Sequence, residues 1–234
     1  MYWITTKIEL DKYFTKLDLV GIYVAAVAHD LDHCKFTHLL AGLSNSFLTK
    51  TQDTISLVFN DQSVLENYHV SLLYQILLNN DEINLFQNLE KSEQDYLRRL
   101  IIESILATDM SRHFHLEKQF WTFVSDTISG NEGKGFKFEN EEARIKLISF
   151  LVHTVDISAS SCMANEHSDK WGLRCAQEFH DQWEGEKQRE SDIGPATPFL
   201  QYKSKRCYIK SQAGFIGLFV EPMWESIVKI FPFC

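Results

Sequence analysis

The sequence predicts an all-α protein that folds as a single compact multi-helix domain. Apolar residues recur at helical spacing in nearly every ordered segment. The 234 residues include only four prolines and ten glycines, the residue types that most often interrupt helices. Hydrophobic residues make up 44% of the chain and aromatic residues 13%, so one packed core can form and extended disorder is not expected.

Six segments carry the apolar periodicity of a helix. They are residues 18–33, 63–79, 92–108, 141–157, 168–184 and 214–230. Ser92 is the predicted N-cap of the third helix, with Asp95 in its first turn. Two turn-rich stretches, 129–135 and 191–205, are predicted loops. Apolar helices flank both loops, so we expect one shared core rather than two domains.

Charge and composition exclude several classes of partner. The formal net charge is -9 and no long Lys/Arg block is present, so we expect neither nucleic acid nor an anionic membrane surface as a partner. No apolar stretch reaches the roughly 18 residues that a membrane span requires. The five cysteines are scattered without a CxxC pair, which is typical of reduced thiols in an intracellular, cytoplasmic protein.

A cluster of polar residues directly follows the apolar run 22–26. On a continuing helix, His29, Asp30 and His33 would lie at roughly 0°, 100° and 40° and would share one arc. Asp32 would lie far from Asp30 on the same helix. A buried carboxylate beside two imidazoles is costly unless a divalent metal satisfies it. On these residues alone, a metal site and a helix end with solvated charges fit equally well.

A second acidic candidate, Asp156, lies in the apolar segment 147–157. A lone aspartate is expensive to bury in such a helix. The alternative is an aspartate near the helix C-terminus that is partly solvated. A His-Asp pair together with a distant aspartate forms a nitrogen and oxygen ligand set that suits Zn²⁺, with Mg²⁺ or Mn²⁺ at a neighbouring site that shares a carboxylate.

Three further segments give weaker signals. Ser63 and Glu66 have the spacing of a capping box, and spacing alone favours this interpretation over a role for Glu66 and His69 in orienting metal-bound water.

Residues 108–113 are predicted to be a polar helix end. Gln212 lies three residues before Phe215, so its amide could hydrogen-bond the edge of a flat ring on which the phenyl group stacks.

Taken in order, these segments resemble the catalytic domain of the class I 3′,5′-cyclic nucleotide phosphodiesterases, which are HD-type metallophosphohydrolases. The matching stretches are His29–His33 (HDLDH), Asn60–His69 (NDQSVLENYH), Ala107–Ser111 (ATDMS), His153–Ser158 (HTVDIS), Lys210–Ile216 (KSQAGFI) and Glu221–Trp224 (EPMW). The likeness extends over essentially the whole chain. It implies an all-α fold of the phosphodiesterase type.

The resemblance also implies two divalent metals, zinc together with magnesium or manganese. His29, Asp30 and Asp156 resemble the ligands of the zinc ion, and Asp30 would also bridge to the second metal. The residues that would hold the waters of the second metal are His33, Glu66 and Thr108, with His69 nearby.

At the base-binding end, Gln212 resembles the family's purine-binding glutamine, and Phe215 resembles the aromatic side of its base clamp. Ile157, Cys175 and Phe179 fall where the family has its other apolar walls. Cys175 is smaller than the aliphatic residue common at that position, which predicts a looser clamp.

The implied reaction is hydrolysis of the 3′ phosphoester of cyclic AMP or cyclic GMP to the 5′-nucleoside monophosphate. In this family a hydroxide between the two metals attacks phosphorus, and a histidine protonates the leaving 3′ oxygen.

The sequence departs from the family pattern near this site. Residues 1–28 contain no histidine, although the family carries a His-Asn-x-x-His segment upstream that supplies the general acid and one metal ligand. We therefore expect that the catalytic domain is partial and that the 234-residue chain shows little or no hydrolysis, because loss of a general acid costs about 10²–10⁴-fold in rate. Residues 34–41 form an expected insertion of about seven residues that contains His38. Ala159 stands where many members have a polar residue.

Two alternatives stay open. One is a catalytically impaired or inactive phosphodiesterase-like module that acts by binding or interaction. The other is a different helical metallophosphohydrolase acting on nucleotides or nucleic acid, which the Gln212 and Phe215 pair disfavours. The preference between cyclic AMP and cyclic GMP and the oligomeric state, including a homodimer, also stay open.

Overall fold

The computed structural model describes residues 1–33, 44–130, 140–158 and 165–231, without the side chains of 123–130 and 165–166. Throughout these ranges the secondary structure is helical, with no strand, so the all-α prediction is confirmed. None of the described helices is both long enough and apolar enough to cross a bilayer. The insertion at 34–41, with His38, and Ala159 lie outside the described residues.

The described residues contain twelve α-helices. They are α1 Tyr2–Lys7, α2 Lys16–Ala28, α3 Asn45–Lys50, α4 Thr54–Val58, α5 Val64–Leu78, α6 Lys91–Leu106, α7 His113–Gly130, α8 Glu141–Ser158, α9 Asn165–Gln188, α10 Glu190–Ile193, α11 Lys205–Phe215 and α12 Glu221–Ile230. Short 3₁₀ turns cover Leu10–Lys12, Met110–Arg112 and Pro198–Leu200. A π-helical turn, Ile216–Val220, joins α11 to α12.

Three of the predicted helices match α5, α6 and α8 closely, because apolar residues recur along each of them and are buried in the core. The predicted cap of α6 was wrong. Glu90 is the N-cap and forms a capping box with Glu93, while Asp95 lies in the second turn and pairs with Lys91. Ser92 is instead the second residue of the helix.

Other boundaries differ from the predictions. The helix predicted over 214–230 is interrupted by the π-helical turn, and the predicted loop 191–205 contains α10 and a 3₁₀ turn. The segment 108–113 is a helix end, as predicted, but α7 begins immediately after it and was not predicted. Most of the predicted loop 129–135 lies outside the described residues.

The centre of the core is formed by α2, α6 and α8. Gly21 of α2 lies so close to α6 that a Cβ there would be 2.5 Å from Leu100 Cδ2. The fully buried Asp18 accepts a hydrogen bond from Tyr96 Oη and lies 3.2 Å from Arg144 Nε, which links all three helices. This packing fixes the C-terminal end of α2 beside the C-terminal end of α8.

Candidate functional site

The first site segment is a turn, because α2 ends at Ala28. The amide of Leu31 donates to Ala28 O, the amide of His33 donates to Asp30 O, and Asp32 has a φ of 60°. The prediction that a helix continues to residue 33 was therefore wrong, and so was the shared helical arc. The turn nevertheless presents His29 and Asp30 on the side that faces α8.

His29 lies between two carboxylates. Its Nε2 atom is 3.0 Å from Asp156 Oδ1 and 3.5 Å from Asp30 Oδ2. Its Nδ1 atom donates to Ala26 O at 3.0 Å. Burial opposes a charge on His29, but the hydrogen bond and negative charge of Asp156, together with Asp30, outweigh it and raise the pKa to about 9. The two carboxylates thus favour a positive charge at the position of Nε2.

The turn is held against α5 by two contacts. His69 is buried and its Nδ1 atom donates to Leu31 O at 2.6 Å, which leaves Nε2 facing Asp30 Oδ1 at 4.0 Å. The hydroxyl of Tyr68 donates to Asp32 Oδ2 at 2.7 Å. Burial lowers the pKa of His69. The ring of His33 stacks on His69 with centroids 5.9 Å apart.

Glu66 is not part of a capping box, so the interpretation favoured by spacing was wrong. Ser63 has a φ of 42°, and its hydroxyl donates instead to Asp109 Oδ2 at 2.7 Å. Glu66 accepts a hydrogen bond of 2.8 Å from the Asn45 side chain. The same Asn45 side chain accepts from the amide of Leu65.

Glu66 is an unusually weak acid for a glutamate. Burial raises the pKa of Glu66 from its ordinary 4.5 to about 7. The hydrogen bond from Asn45 opposes this rise, and the negative charges of Asp109 and Asp30 add to it. Glu66 therefore belongs electrostatically to the same acidic region as Asp30.

Thr108 and Asp109 follow the end of α6 and are buried, which a solvated helix end would not be. Thr108 Oγ1 donates to Ile105 O at 2.8 Å, so its oxygen still has acceptor capacity. Asp109 accepts from Ser63 and from the amide of Ser111. Asp109 was not among the predicted site residues, although it adjoins Thr108 in the same motif.

The predicted base-binding residues lie on α8, α9 and the C-terminal part of α11. Ile157 is buried, and Phe215 packs against the same apolar core. Gln212 is half-buried and lies near Gly172 of α9.

Two further predicted wall residues lie on α9. Cys175 is half-buried, whereas Phe179 has 50% of its surface exposed. The residues predicted to form the apolar walls are thus unequally buried, with Phe179 the most exposed of them.

With this geometry described, the chain can be compared with known proteins. The family model for the 3′5′-cyclic nucleotide phosphodiesterases matches residues 1–234. The chain belongs to this family. Phosphodiesterases of this family are metal-dependent.

Curated relatives and solved structures agree with this assignment. The chain is 34% identical over 219 residues to the 3′,5′-cyclic-AMP phosphodiesterase isoform F of Drosophila melanogaster, a match that covers 93% of this chain and 31% of the relative. Isoforms N/G of the same organism match with the same identity over 21% of their length. The chain therefore spans about a third or less of these relatives.

Two solved phosphodiesterase domains from the choanoflagellate Salpingoeca rosetta have the same fold. The domain of the RhoPDE fusion protein superposes with a TM-score of 0.85 at 31% identity, covering 99% of this chain and 67% of that one. The domain of the rhodopsin phosphodiesterase gives a TM-score of 0.81 at 32% identity, covering 94% of this chain and 62% of that one.

The donor atoms of the candidate site are of the chemical types that bind divalent cations. His29 Nε2 lies within 3.5 Å of one carboxylate oxygen of Asp156 and one of Asp30, and the buried Nδ1 of His33 has no hydrogen-bond partner among the described residues. Across the described ranges, however, no group of three His, Cys, Asp or Glu side chains is arranged so that it could hold a metal ion. The residues are brought together, but hydrogen bonds rather than coordination geometry hold them.

Proposed function

We propose that the protein hydrolyses the 3′ phosphoester of cyclic AMP, cyclic GMP or both to the 5′-nucleoside monophosphate. The observation that carries this proposal is the convergence of His29, Asp30 and Asp156 at the ends of two helices that are distant in sequence. The names of the Drosophila relatives make cyclic AMP the first substrate to test.

The metals of this proposal are Zn²⁺ and Mg²⁺ or Mn²⁺. His29, Asp30 and Asp156 would hold zinc, because one imidazole and two carboxylates suit it. The pair of ions would supply positive charge that offsets the charge of the phosphoryl oxygens and lowers the pKa of bound water. Asp30 is the residue best placed to serve both ions, because it faces His29 on one side and His69 on the other.

Four residues would orient the water around the second ion. They are His33, Glu66, His69 and Thr108. Three of them are already held by a hydrogen bond: His69 to Leu31 O, Glu66 to Asn45, and Thr108 to Ile105 O. A side chain whose rotamer is locked in this way loses little entropy when it orients a ligand.

The base of the nucleotide would lie between α8, α9 and α11. Gln212 would hydrogen-bond the edge of the purine, and Phe215 would stack on its face. Ile157, Cys175 and Phe179 would form the apolar walls, with Phe179 able to contact a ligand because half of its surface is exposed.

A specific observation favours a second candidate, a catalytically impaired phosphodiesterase-like binding module. Among the residues that the structure describes, no group of three His, Cys, Asp or Glu side chains is arranged so that it could hold a metal ion. A site that holds its metals poorly would turn the substrate over slowly, while the residues at the base-binding end would still be able to bind the nucleotide.

Product analysis separates the two candidates. The 234-residue chain is incubated with labelled cyclic AMP and with Zn²⁺ and Mg²⁺, and the products are resolved by chromatography. Slow, metal-dependent formation of 5′-AMP supports the proposal, whereas tight binding without any product supports the binding module. Formation of 3′-AMP would refute cleavage of the 3′ phosphoester bond.

We also propose that the protein works in the cytoplasm, where cyclic nucleotides are hydrolysed in signalling. The scattered cysteines support this location, and the described Cys175 and Cys207 are thiols.

A further inference from the structure

Two histidines outside the proposed site are fully buried and face each other. His113 begins α7 and His153 lies in α8, and His113 Nδ1 is 2.9 Å from His153 Nε2. Burial lowers the pKa of both imidazoles, that of His153 to about 4. Both rings are therefore neutral near pH 7, and a single N–H···N hydrogen bond joins them.

Each ring also has a second nitrogen, the outer nitrogen, which does not take part in the hydrogen bond between the two histidines. His113 Nε2 and His153 Nδ1 are buried without a hydrogen-bond partner in the part of the chain that the structure describes. Whichever ring donates, one outer N–H and one outer lone pair stay unmatched. Two apolar side chains would avoid this cost, so packing alone does not explain the pair. What two imidazoles add is a directional bond that fixes α7 against α8.

The pair is connected to the metal-binding end of the proposed site through α8. His153 lies about one helical turn before Asp156, so the two side chains move with the same segment of helix. The negative charges of Asp156 and Asp109 both act on His153. A displacement of α8 at His153 would therefore change the position of the Asp156 carboxylate relative to His29.

The pair is connected to the base-binding end through aromatic rings. The ring of His113 packs edge-on against Phe219, with centroids 5.0 Å apart and an interplanar angle of 73°. Phe219 lies in the π-helical turn, and its ring centroid is 5.1 Å from that of Phe215. A continuous series of contacts thus leads from His153 through His113 and Phe219 to Phe215.

We propose that His113 and His153 form a positioning pair that sets the separation between the two ends of the site, Asp156 at the metal and Phe215 at the base. The pair acts through α8 and Phe219 and does not itself touch metal or nucleotide. This inference rests on the proposed function, because it assigns a metal end and a base end to one site.

The test measures binding at each end separately. The 234-residue chain is prepared with His113→Gln, His153→Gln and both together. Ser149→Ala is the matched control, because Ser149 is another buried polar residue of α8 whose side chain has no hydrogen-bond partner within the described residues. Zn²⁺ affinity is measured by competition with a chromogenic chelator, and cyclic AMP affinity by equilibrium dialysis with both metals present.

If the two histidines form a positioning pair, substitution of either one should weaken the affinity for Zn²⁺ and the affinity for cyclic AMP. We expect each histidine variant to lose about fivefold or more in affinity for Zn²⁺ and for cyclic AMP, and the double variant to lose no more than the worse single variant. Ser149→Ala should stay within about twofold of the original chain. Folded histidine variants with unchanged affinity for both probes would overturn the inference.

If the histidine variants fail to fold, Phe219→Leu tests the inference instead. It interrupts only the connection to Phe215, so it should weaken cyclic AMP binding about fivefold and leave Zn²⁺ binding unchanged. Unchanged cyclic AMP affinity would overturn the inference. If the unaltered chain binds neither Zn²⁺ nor cyclic AMP, the proposed function itself fails and the inference with it, an outcome recognisable because it precedes any substitution.

Discussion

His29 Nε2 lies 3.0 Å from Asp156 Oδ1, although the two residues are 127 positions apart in the sequence. The contact exists because α2 and α8 end side by side, and buried Asp18 and Arg144 hold the two helices together. The proposed metal site therefore depends on helix packing rather than on any local motif.

Asp156→Asn should remove most of the affinity for Zn²⁺. The amide keeps the shape of the side chain but loses the negative charge that faces His29, and we expect a loss of at least about 100-fold in affinity. Zinc titration against a chelator measures the change. Asp32→Asn is the control, because Asp32 lies in the same turn but bonds to Tyr68, and it should change the affinity by less than about threefold. Equal losses in the two variants would contradict the assignment of Asp156.

Glu66 should make the metal-free chain less stable as the pH rises. Its folded-state pKa of about 7 lies above its ordinary 4.5, so its stabilising contribution is fully present below about pH 4.5 and is lost as the pH rises through about 7. Glu66→Gln remains neutral and escapes this loss. Urea denaturation should therefore show the variant gaining about 2 kcal/mol relative to the original chain between about pH 5 and pH 8.

The control for this experiment is Glu82→Gln, which changes an exposed glutamate. Its stability relative to the original chain should not vary with pH. A pH-independent difference for Glu66→Gln would show that the carboxyl group of Glu66 is ionised in the folded chain at neutral pH.

Ser63 and Asp109 should be energetically coupled. Their hydrogen bond of 2.7 Å joins the start of α5 to the end of α6, so removal of either partner loses the same bond. A double-mutant cycle of Ser63→Ala and Asp109→Ala should give a coupling free energy of about 1 kcal/mol. Ser63→Ala combined with Glu66→Gln should be additive. The reverse result would restore the capping box that the spacing suggested.

Gly21→Ala should destabilise the fold. A methyl group at this position would lie 2.5 Å from Leu100 Cδ2, so α2 and α6 would have to move apart. We expect a net loss of about 1 kcal/mol, because overpacking outweighs the better helix propensity of alanine. Gly214→Ala in α11 is the control, since a Cβ there meets nothing within 4 Å, and it should stabilise by about 0.5 kcal/mol. A stabilising Gly21→Ala would contradict the close packing of α2 and α6.

The fold class and the long helices other than α7 could be predicted from the sequence, because apolar periodicity depends on residues within a few turns. The turn 29–33 could not be predicted in this way. Asp32 adopts a positive φ there, and the turn is held by His69 and Tyr68 from α5, residues more than thirty positions away.

The candidate site could be predicted only in part, because several of its contacts join residues that are distant in the sequence. Spacing favoured a local cap for Glu66, but Asn45 binds its carboxyl group from 21 positions upstream. Asp109 was not predicted to be a site residue, because a polar residue after a helix usually faces solvent. Its burial is evident only in the folded chain. His113 and His153 gave no signal individually, since their significance comes from their mutual contact.

Anomalous diffraction at the zinc edge tests the central claim most directly. Crystals of the chain grown with Zn²⁺ should show a peak about 2.0–2.2 Å from His29 Nε2 and from carboxylate oxygens of Asp30 and Asp156. A zinc ion bound elsewhere, with these three side chains still joined only by hydrogen bonds, would contradict it.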